Sequence, residues 1–336
     1  MRRTGNLFER IVAQDNLRQA FQRAARGKRS QAEVRLFAEH LDDRLRQISA
    51  DLLAGTIALG RFHQFVIRDP KERIITAPCF EERVLHHAIM NVCEPIFERW
   101  LIDDTYACRI ERGRDSAVQR AAVFARRYPV FLKLDIRKYF DSIPHSVLRN
   151  LLRRKFKDAR LLGLFDRIIG AFRDNSKCGL PIGSLTSQYF ANFYLGWFDR
   201  YVKERLRVHG YIRYMDDMVL WGNDLATLRD QRHVVLDFLS ESLQLRAKPP
   251  FLGRSSCGFD WLGCRVFSTH TALSRRSRTR FRRKLRGLER THAVGAITDD
   301  QLQQRSEAAL AFTRGANAKS WRFRQAVLQQ PVVDDR

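Results

Sequence analysis

Apolar positions recur along this chain with two periods, one near 3.6 and one near 2, and their succession predicts its elements. Leu7, Ile11, Leu17 and Phe21 fall near helical spacing in an arginine-rich N-terminal segment, which reads as an amphipathic helix. Glu9 and Asp15 within it, and the lack of an apolar core or small-residue cleavage site, argue against a targeting peptide. In HQFVIRDPKERIITAP the β-formers Phe65–Ile67 and Ile74–Ile75 flank Asp69-Pro70-Lys71-Glu72, so a hairpin with a proline-bearing turn is expected. Val84, Leu85, Ala88, Ile89, Val92 and Ile96 then trace one helical stripe. The run from Pro129 to Ile136 reads as a buried strand ending at Asp135. A Gly/Pro-punctuated loop, Gly179 to Gly183, precedes an apolar helix carrying Phe190, Phe193, Tyr194 and Trp197. Tyr211 to Trp221 reads as a second buried hairpin with Met215-Asp216-Asp217 at its tip.

Charge changes the picture. Across 336 residues, 61 Lys+Arg outweigh 37 Asp+Glu, a net charge of +24, which points to a polyanionic partner. A hydrophobic content of 44% excludes a disordered basic tail. No run approaches the roughly 18–20 apolar residues of a membrane span, so a soluble, cytoplasmic chain with no membrane partner is expected. The six cysteines are scattered without a C-x-x-C pair, which suggests free thiols rather than a zinc ribbon. From Ser274 onward Arg275, Arg276, Arg278, Arg280, Arg282, Arg283, Lys284, Arg286 and Arg290 crowd one helical stretch, the best candidate boundary. The stretch is either a solvated face or a surface for a polyanion.

Three acids carry the chemistry. Asp135 ends an apolar strand and Asp216-Asp217 sit in an apolar hairpin, where adjacent carboxylates are costly unless a cation compensates them. Two divalent ions held by such acids would activate a 3′-hydroxyl and stabilise a leaving pyrophosphate. Asp-Asp pairs alone say little, since Asp42-Asp43 and Asp103-Asp104 also occur. His86-His87 has no third ligand at a useful spacing, which favours packing over metal binding.

YMDD at Tyr214–Asp217, preceded by FLKLDIRKYFDSI and GLPIGSLTSQYFANFYL, resembles the palm motifs of reverse transcriptases. The resemblance implies an α+β right-hand polymerase with helical fingers, a small antiparallel-sheet palm and a basic helical thumb. It divides the chain into N-terminal helices and fingers (1–128), palm (129–272, with an interleaved fingers segment at about 145–180 and a primer-grip segment) and thumb (273–336). It implies that Asp135, Asp216 and Asp217 are the catalytic acids and, with the Ile136 carbonyl, hold two Mg²⁺ ions, Mn²⁺ being a substitute. Lys71 and Arg73 match residues gripping the incoming triphosphate, Phe140 the aromatic gate against a ribose 2′-hydroxyl, and Ile182-Gly183 the loop beside the nascent pair. Leu262 and Gly263 fall in the segment matching the primer grip; with them Tyr214, Arg278, Arg280, Arg282 and Arg283 are the residues implied to touch primer or template. Lys248 falls earlier than the family's pyrophosphate-protonating lysine, which leaves that acid unassigned.

The loop reads LPIGSLTSQ where most reverse transcriptases carry glutamine before the glycine and Ser-Pro after it. That variant resembles the enzymes of diversity-generating retroelements, which copy a template-repeat RNA into adenine-mutagenised cDNA that diversifies a target gene. The partners so implied are template RNA, the cDNA/RNA heteroduplex, deoxynucleoside triphosphates and a small basic helical accessory protein. The rivals are a retron, defence-associated or group II intron-type enzyme, and, in a different class, a non-catalytic RNA-binding assembly protein on a polymerase fold.

Overall fold

The computed structural model describes residues 3–68, 72–172, 177–311, 313 and 316. Helices α1 (Phe8–Val12), α2 (Gln14–Ala25), α3 (Ala32–Glu39) and α4 (Leu41–Ala54) precede the hairpin β1 (Phe62–Arg68) and β2 (Glu72–Pro78) and the long helix α5 (Phe80–Glu98). Helix α6 (Arg114–Arg127), strand β3 (Val130–Asp135) and helices α7 (Tyr139–Ser142), α8 (His145–Lys155) and α9 (Ala159–Gly170) follow. Next come α10 (Leu185–Arg200), β4 (Gly210–Tyr214), β5 (Asp217–Gly222) and α11 (Leu225–Asp237). The last elements are β6 (Phe251–Arg254), β7 (Phe259–Trp261), β8 (Cys264–Val266), β9 (Thr271–Leu273), α12 (Arg275–Ala293) and α13 (Asp299–Ala311). This is the mixed helical and antiparallel-sheet class expected.

The elements sort into two compact units whose sequences interleave. One gathers Met1–Ile102, Ile136–Tyr201 and Leu236–Lys248; the other gathers Asp103–Asp135, Val202–Val235 and the chain from Pro249 onward.

The first unit is built on buried helices. The predicted N-terminal helix is two, because Ala13 adopts extended backbone with ψ 136° between α1 and α2. Asn16 splices the break, donating to Ile11 O at 2.9 Å and, on α5, to Ala88 O at 3.1 Å. Phe21, Phe37 and Phe80 form one aromatic contact set across α2, α3 and α5. Helix α10 is apolar around most of its circumference, so it lies inside, with Phe190 and Phe193 against Phe97 of α5. The hairpin β1–β2 pairs in full register from Phe62↔Pro78 to Arg68↔Glu72.

The second unit is organised on a four-stranded antiparallel sheet of order β4-β5-β3-β6. Period-2 strands become near-continuous apolar runs here because both faces are covered: Phe131, Ile212, Val219 and Trp221 are buried with Phe124 of α6 and with Phe259 and Trp261 of β7. The small sheet β7-β8-β9 contributes to the same core. Helix α12 buries Ser277, Phe281 and Leu285 on one stripe, Phe281 and Leu285 meeting Ala309 of α13.

Candidate active site

The sheet brings two of the three acids together. Strands β3 and β5 pair so that Asp135 stands opposite Asp217, one step beyond Leu134↔Met218. Asp217 is therefore the first residue of β5 rather than part of the hairpin tip, and the two-residue turn is Met215-Asp216, closed by Tyr214↔Asp217. Met215 sits at φ 54°, the left-handed backbone that a two-residue hairpin needs to match strand twist. A side chain rarely tolerates that region, so the turn has a brace. Arg213, fully buried, donates from Nη1 to Met215 O at 3.1 Å, and its backbone N–H and C=O bond to Asp104 O and Tyr106 N–H.

Like charges directly opposite on paired strands repel, so a cation belongs beside them. Lys133, two residues before Asp135 on the same strand face, supplies one: its Nζ lies 3.7 Å from Asp217 Oδ1 and donates to Asp260 O at 2.9 Å. Among the described residues no group of three His, Cys, Asp or Glu side chains is placed to hold a metal ion. The donor set itself, carboxylate oxygens on neighbouring strands at a half-buried edge, suits a hard cation such as Mg²⁺.

Phe140, Ile182, Gly183 and Arg73 fall in the first unit and are tied to one another through backbone. Leu180 N–H bonds to Phe140 O at 2.8 Å and Gly179 N–H to Ile143 O at 2.9 Å, so the loop hangs on α7. Thr76 N–H bonds to Ile182 O at 2.7 Å, fastening the same loop to β2, the strand that carries Arg73. Gly183 is required here: φ is 124°, and a Cβ would come within 2.7 Å of Ile75 Cγ2 and 3.1 Å of Thr76 O. Phe140 and Ile182 are half-buried, Gly183 and Arg73 exposed. Ile136 is fully buried and bridges Ala247. Lys71 lies outside the described residues.

Leu262 and Gly263, with φ 47° and 80°, form the two-residue turn between β7 and β8. Arg114 Nε donates to Leu262 O at 2.8 Å and Ser274 N–H to Gly263 O at 3.1 Å, which fixes this turn in place. Tyr214 is half-buried, and burial pushes its phenol pKa up. On α12, Arg278, Arg282 and Arg283 are exposed and Arg280 half-buried, outside the Ser277–Phe281–Leu285 stripe.

Several supporting groups were not singled out by the motifs. Lys133 and Arg213 are two; a third is a buried chain behind the loop. Ser184 Oγ lies 3.1 Å from His86 Nδ1, and His86 Nε2 lies 3.6 Å from Glu82 Oε1. Glu82 accepts from Gly60 N–H at 2.9 Å. Burial drives the His86 pKa down to about 3, so it is a neutral structural link, in keeping with the packing reading of His86-His87. The i,i+4 spacing of Glu82 and His86 on a helix was the available signal.

Residues 68–264, more than half of the chain, match the family described as Reverse transcriptase (RNA-dependent DNA polymerase). Protein YkfC of Escherichia coli (strain K12) is 29% identical over 167 residues, 46% of this chain and 43% of that protein. Group II intron-encoded protein LtrA of Lactococcus lactis subsp. cremoris is 25% identical over 170 residues, 48% of this chain and 28% of that protein. The matched segments thus span less than half of these relatives' own length. A solved telomerase from Candida albicans, in complex with the TWJ fragment of telomeric RNA, overlays 82% of this chain and 55% of its own at a TM-score of 0.46 and 11% identity. With the family match running from the end of β1 to the start of β8 and taking in Asp135, Asp216 and Asp217, this chain belongs to the reverse transcriptase family.

Proposed function

We propose that the chain is an RNA-directed DNA polymerase of the diversity-generating retroelement type, copying a template-repeat RNA into adenine-mutagenised cDNA. The observation that carries the polymerase reading is the Asp135↔Asp217 pairing with Asp216 in the adjoining turn. Asp135, Asp216, Asp217 and the Ile136 carbonyl would hold Mg²⁺, with Mn²⁺ a substitute, and the ions would lower the pKa of the primer 3′-hydroxyl and neutralise developing phosphate charge. The chain's own residues do the rest. Lys133 screens Asp217, and Arg213 keeps the Met215-Asp216 turn from collapsing. Arg73, joined by Lys71, meets the triphosphate with a planar fork of donors. Phe140 excludes a 2′-hydroxyl by bulk, and the Leu262-Gly263 turn with Tyr214 supports the primer end. The arginines of α12 track the template–cDNA duplex, and a small basic helical accessory protein delivers the structured RNA.

The subtype rests on Ile182 and the flanking LPIGSLTSQ. Isoleucine offers no hydrogen bond to check the geometry of the nascent pair. Ile182→Gln would add that amide and, at about 0.5–1.5 kcal/mol, favour correct insertion opposite adenine by roughly 2–13-fold. Single-nucleotide insertion on RNA templates tests this; equal misincorporation opposite adenine by parent and variant would return Ile182 to a packing role. The match to LtrA favours a second reading, a group II intron-type enzyme. Such an enzyme would copy adenine as faithfully as the other bases.

A further inference from the structure

The unit that carries the β4-β5-β3-β6 sheet has an open pocket of about 670 Å³, which Val130 lines at the start of β3. Val130 is five residues before Asp135, so the cavity opens at the opposite end of the sheet, about 17 Å along the strand from the carboxylates. Two elements bring three guanidinium groups to it: Arg126 and Arg127 from the last turn of α6, and Arg254 from β6. All three are exposed, and among the described residues none of them is in an ion pair; Arg127 instead lies over the Tyr128 ring, 5.5 Å from its centroid. Asn223, Ser256 and Ser268 add an amide and two hydroxyls.

Asp224 is the one acid on the wall, and its carboxylate is already engaged, accepting from Thr227 N–H and Thr227 Oγ1, both at 2.8 Å. Three fixed positive charges thus face one internally satisfied negative charge. The wall between Tyr128 and Ser268 is rigid. Ser255 donates from N to Pro129 O at 2.8 Å and from Oγ to Tyr128 O at 2.7 Å, and accepts from Ser268 N–H at 3.0 Å. A helix dipole explains arginines in the last turn of α6. It gives no reason for Arg254, which comes from a strand. The volume falls in the range that holds a nucleotide-sized group, about 300–1,000 Å³, rather than a bare ion alone.

We propose that this cavity is a second nucleic-acid site, which grips the phosphodiester backbone of folded RNA away from the catalytic carboxylates. Guanidinium forks match phosphate oxygens, hydroxyl and amide groups complete such contacts, and the Tyr128 ring borders the groove where a sugar or base would lie. The site anchors RNA independently of primer–template engagement.

The test compares the full chain with R126S/R127S/R254S and R126K/R127K/R254K on two probes, a long folded RNA and a short RNA–DNA primer–template hybrid. The salt dependence of binding is measured for each, with single-nucleotide addition on the short hybrid. On the long RNA the serine variant should lose about 2–3 units of log–log slope, at 0.7–0.9 per contact, while the lysine variant keeps most of it. On the short hybrid both variants should bind and extend like the parent. An unchanged slope on long RNA in a folded serine variant overturns the proposal, and so does an equal loss on the short hybrid. Ultraviolet crosslinking of the parent to the long RNA does not depend on any variant folding: crosslinks should map to residues 125–130 or 254–256, and their absence there overturns the site. Binding is read without catalysis, so a parent that fails to extend a primer would break the polymerase reading, and the slope loss in the serine variant would still leave the site standing.

Discussion

The chain contains two hairpins that read alike in sequence and end up in opposite environments. Strands β4 and β5 are sealed: Tyr211, Ile212, Met218, Val219 and Leu220 have no exposed surface. Strands β1 and β2 pair over seven residues, yet Phe65 is 49% exposed, Val66 51% and Ile74 60%. Consecutive strand residues point to opposite faces, so Phe65 and Val66 show that the half of the β1–β2 hairpin nearest its turn is open on both faces, while Thr76 and Pro78 are buried. The difference is cover. Strand β5 has β4 and β3 on its two edges and α6 in the same core, whereas among the described residues β1 and β2 have only each other for strand neighbours.

That contrast divides the chemistry. A buried sheet ending in half-buried carboxylates fixes their geometry by the packing behind them. The β1–β2 hairpin leaves Arg73 exposed, with its register supplied by backbone pairing from Phe62↔Pro78 to Arg68↔Glu72. In the proposed polymerase the sealed region would position the metal ligands and the open one would meet the triphosphate.

The largest effect should come from breaking the sealed region. Asp135→Asn keeps the shape of the side chain and removes its charge, and it should slow nucleotide addition by about a hundredfold to a thousandfold with the thermal midpoint nearly unchanged. A folded variant within tenfold of the parent in single-turnover incorporation would remove Asp135 from the site. Next comes the tie between the open hairpin and the loop. Gly183→Ala forces a side chain into left-handed backbone against Ile75 and should destabilise the chain by roughly 1–3 kcal/mol, read as a lower unfolding midpoint. An unchanged midpoint would show that β2 shifts freely and that the loop does not fix it.

The smallest effect concerns pH. His87 lines the cavity beside β1, β2 and Gly183, and burial first, then Arg23, Arg83 and Lys28, pushes its pKa down from 6.5 to about 4. Between those values the unfolded chain takes up a proton that the folded chain refuses, so this contribution to stability falls as pH drops from 6.5 toward 4. His87→Gln should flatten the fall of the unfolding midpoint over that window and leave it unaltered above pH 7. Parallel curves for parent and variant would exclude the effect.

Much of the fold was legible because its strands and helices carry strong periodicity. The β1–β2 hairpin, α5, β3, α10 and the β4–β5 hairpin stand where the apolar patterns put them. The break at Ala13 was not legible, since alanine favours helix and nothing in its neighbours marks the turn. Nor was the place of Asp217: a YMDD string does not say which residue closes a two-residue turn, and register decides it. The acids were readable from their apolar frames. Their supports were not, because Lys133 and Arg213 are ordinary charged residues until pairing brings Lys133 to Asp217 and buries Arg213 beneath Met215. The exposure of β1–β2 was equally hidden, since Phe65, Val66 and Ile67 spell a buried strand.

The central claim is that the carboxylate edge of the sheet performs RNA-templated DNA synthesis. Its most direct measurement is single-turnover addition of one deoxynucleotide to a primer on an RNA template with Mg²⁺, by the parent, by Asp216→Asn and by Asp42→Asn, an exposed acid of α4. The parent and Asp42→Asn should extend the primer at equal rates, and Asp216→Asn should fall by at least about a hundredfold. A parent that adds no nucleotide, or a folded Asp216→Asn that adds it at the parental rate, would contradict the account.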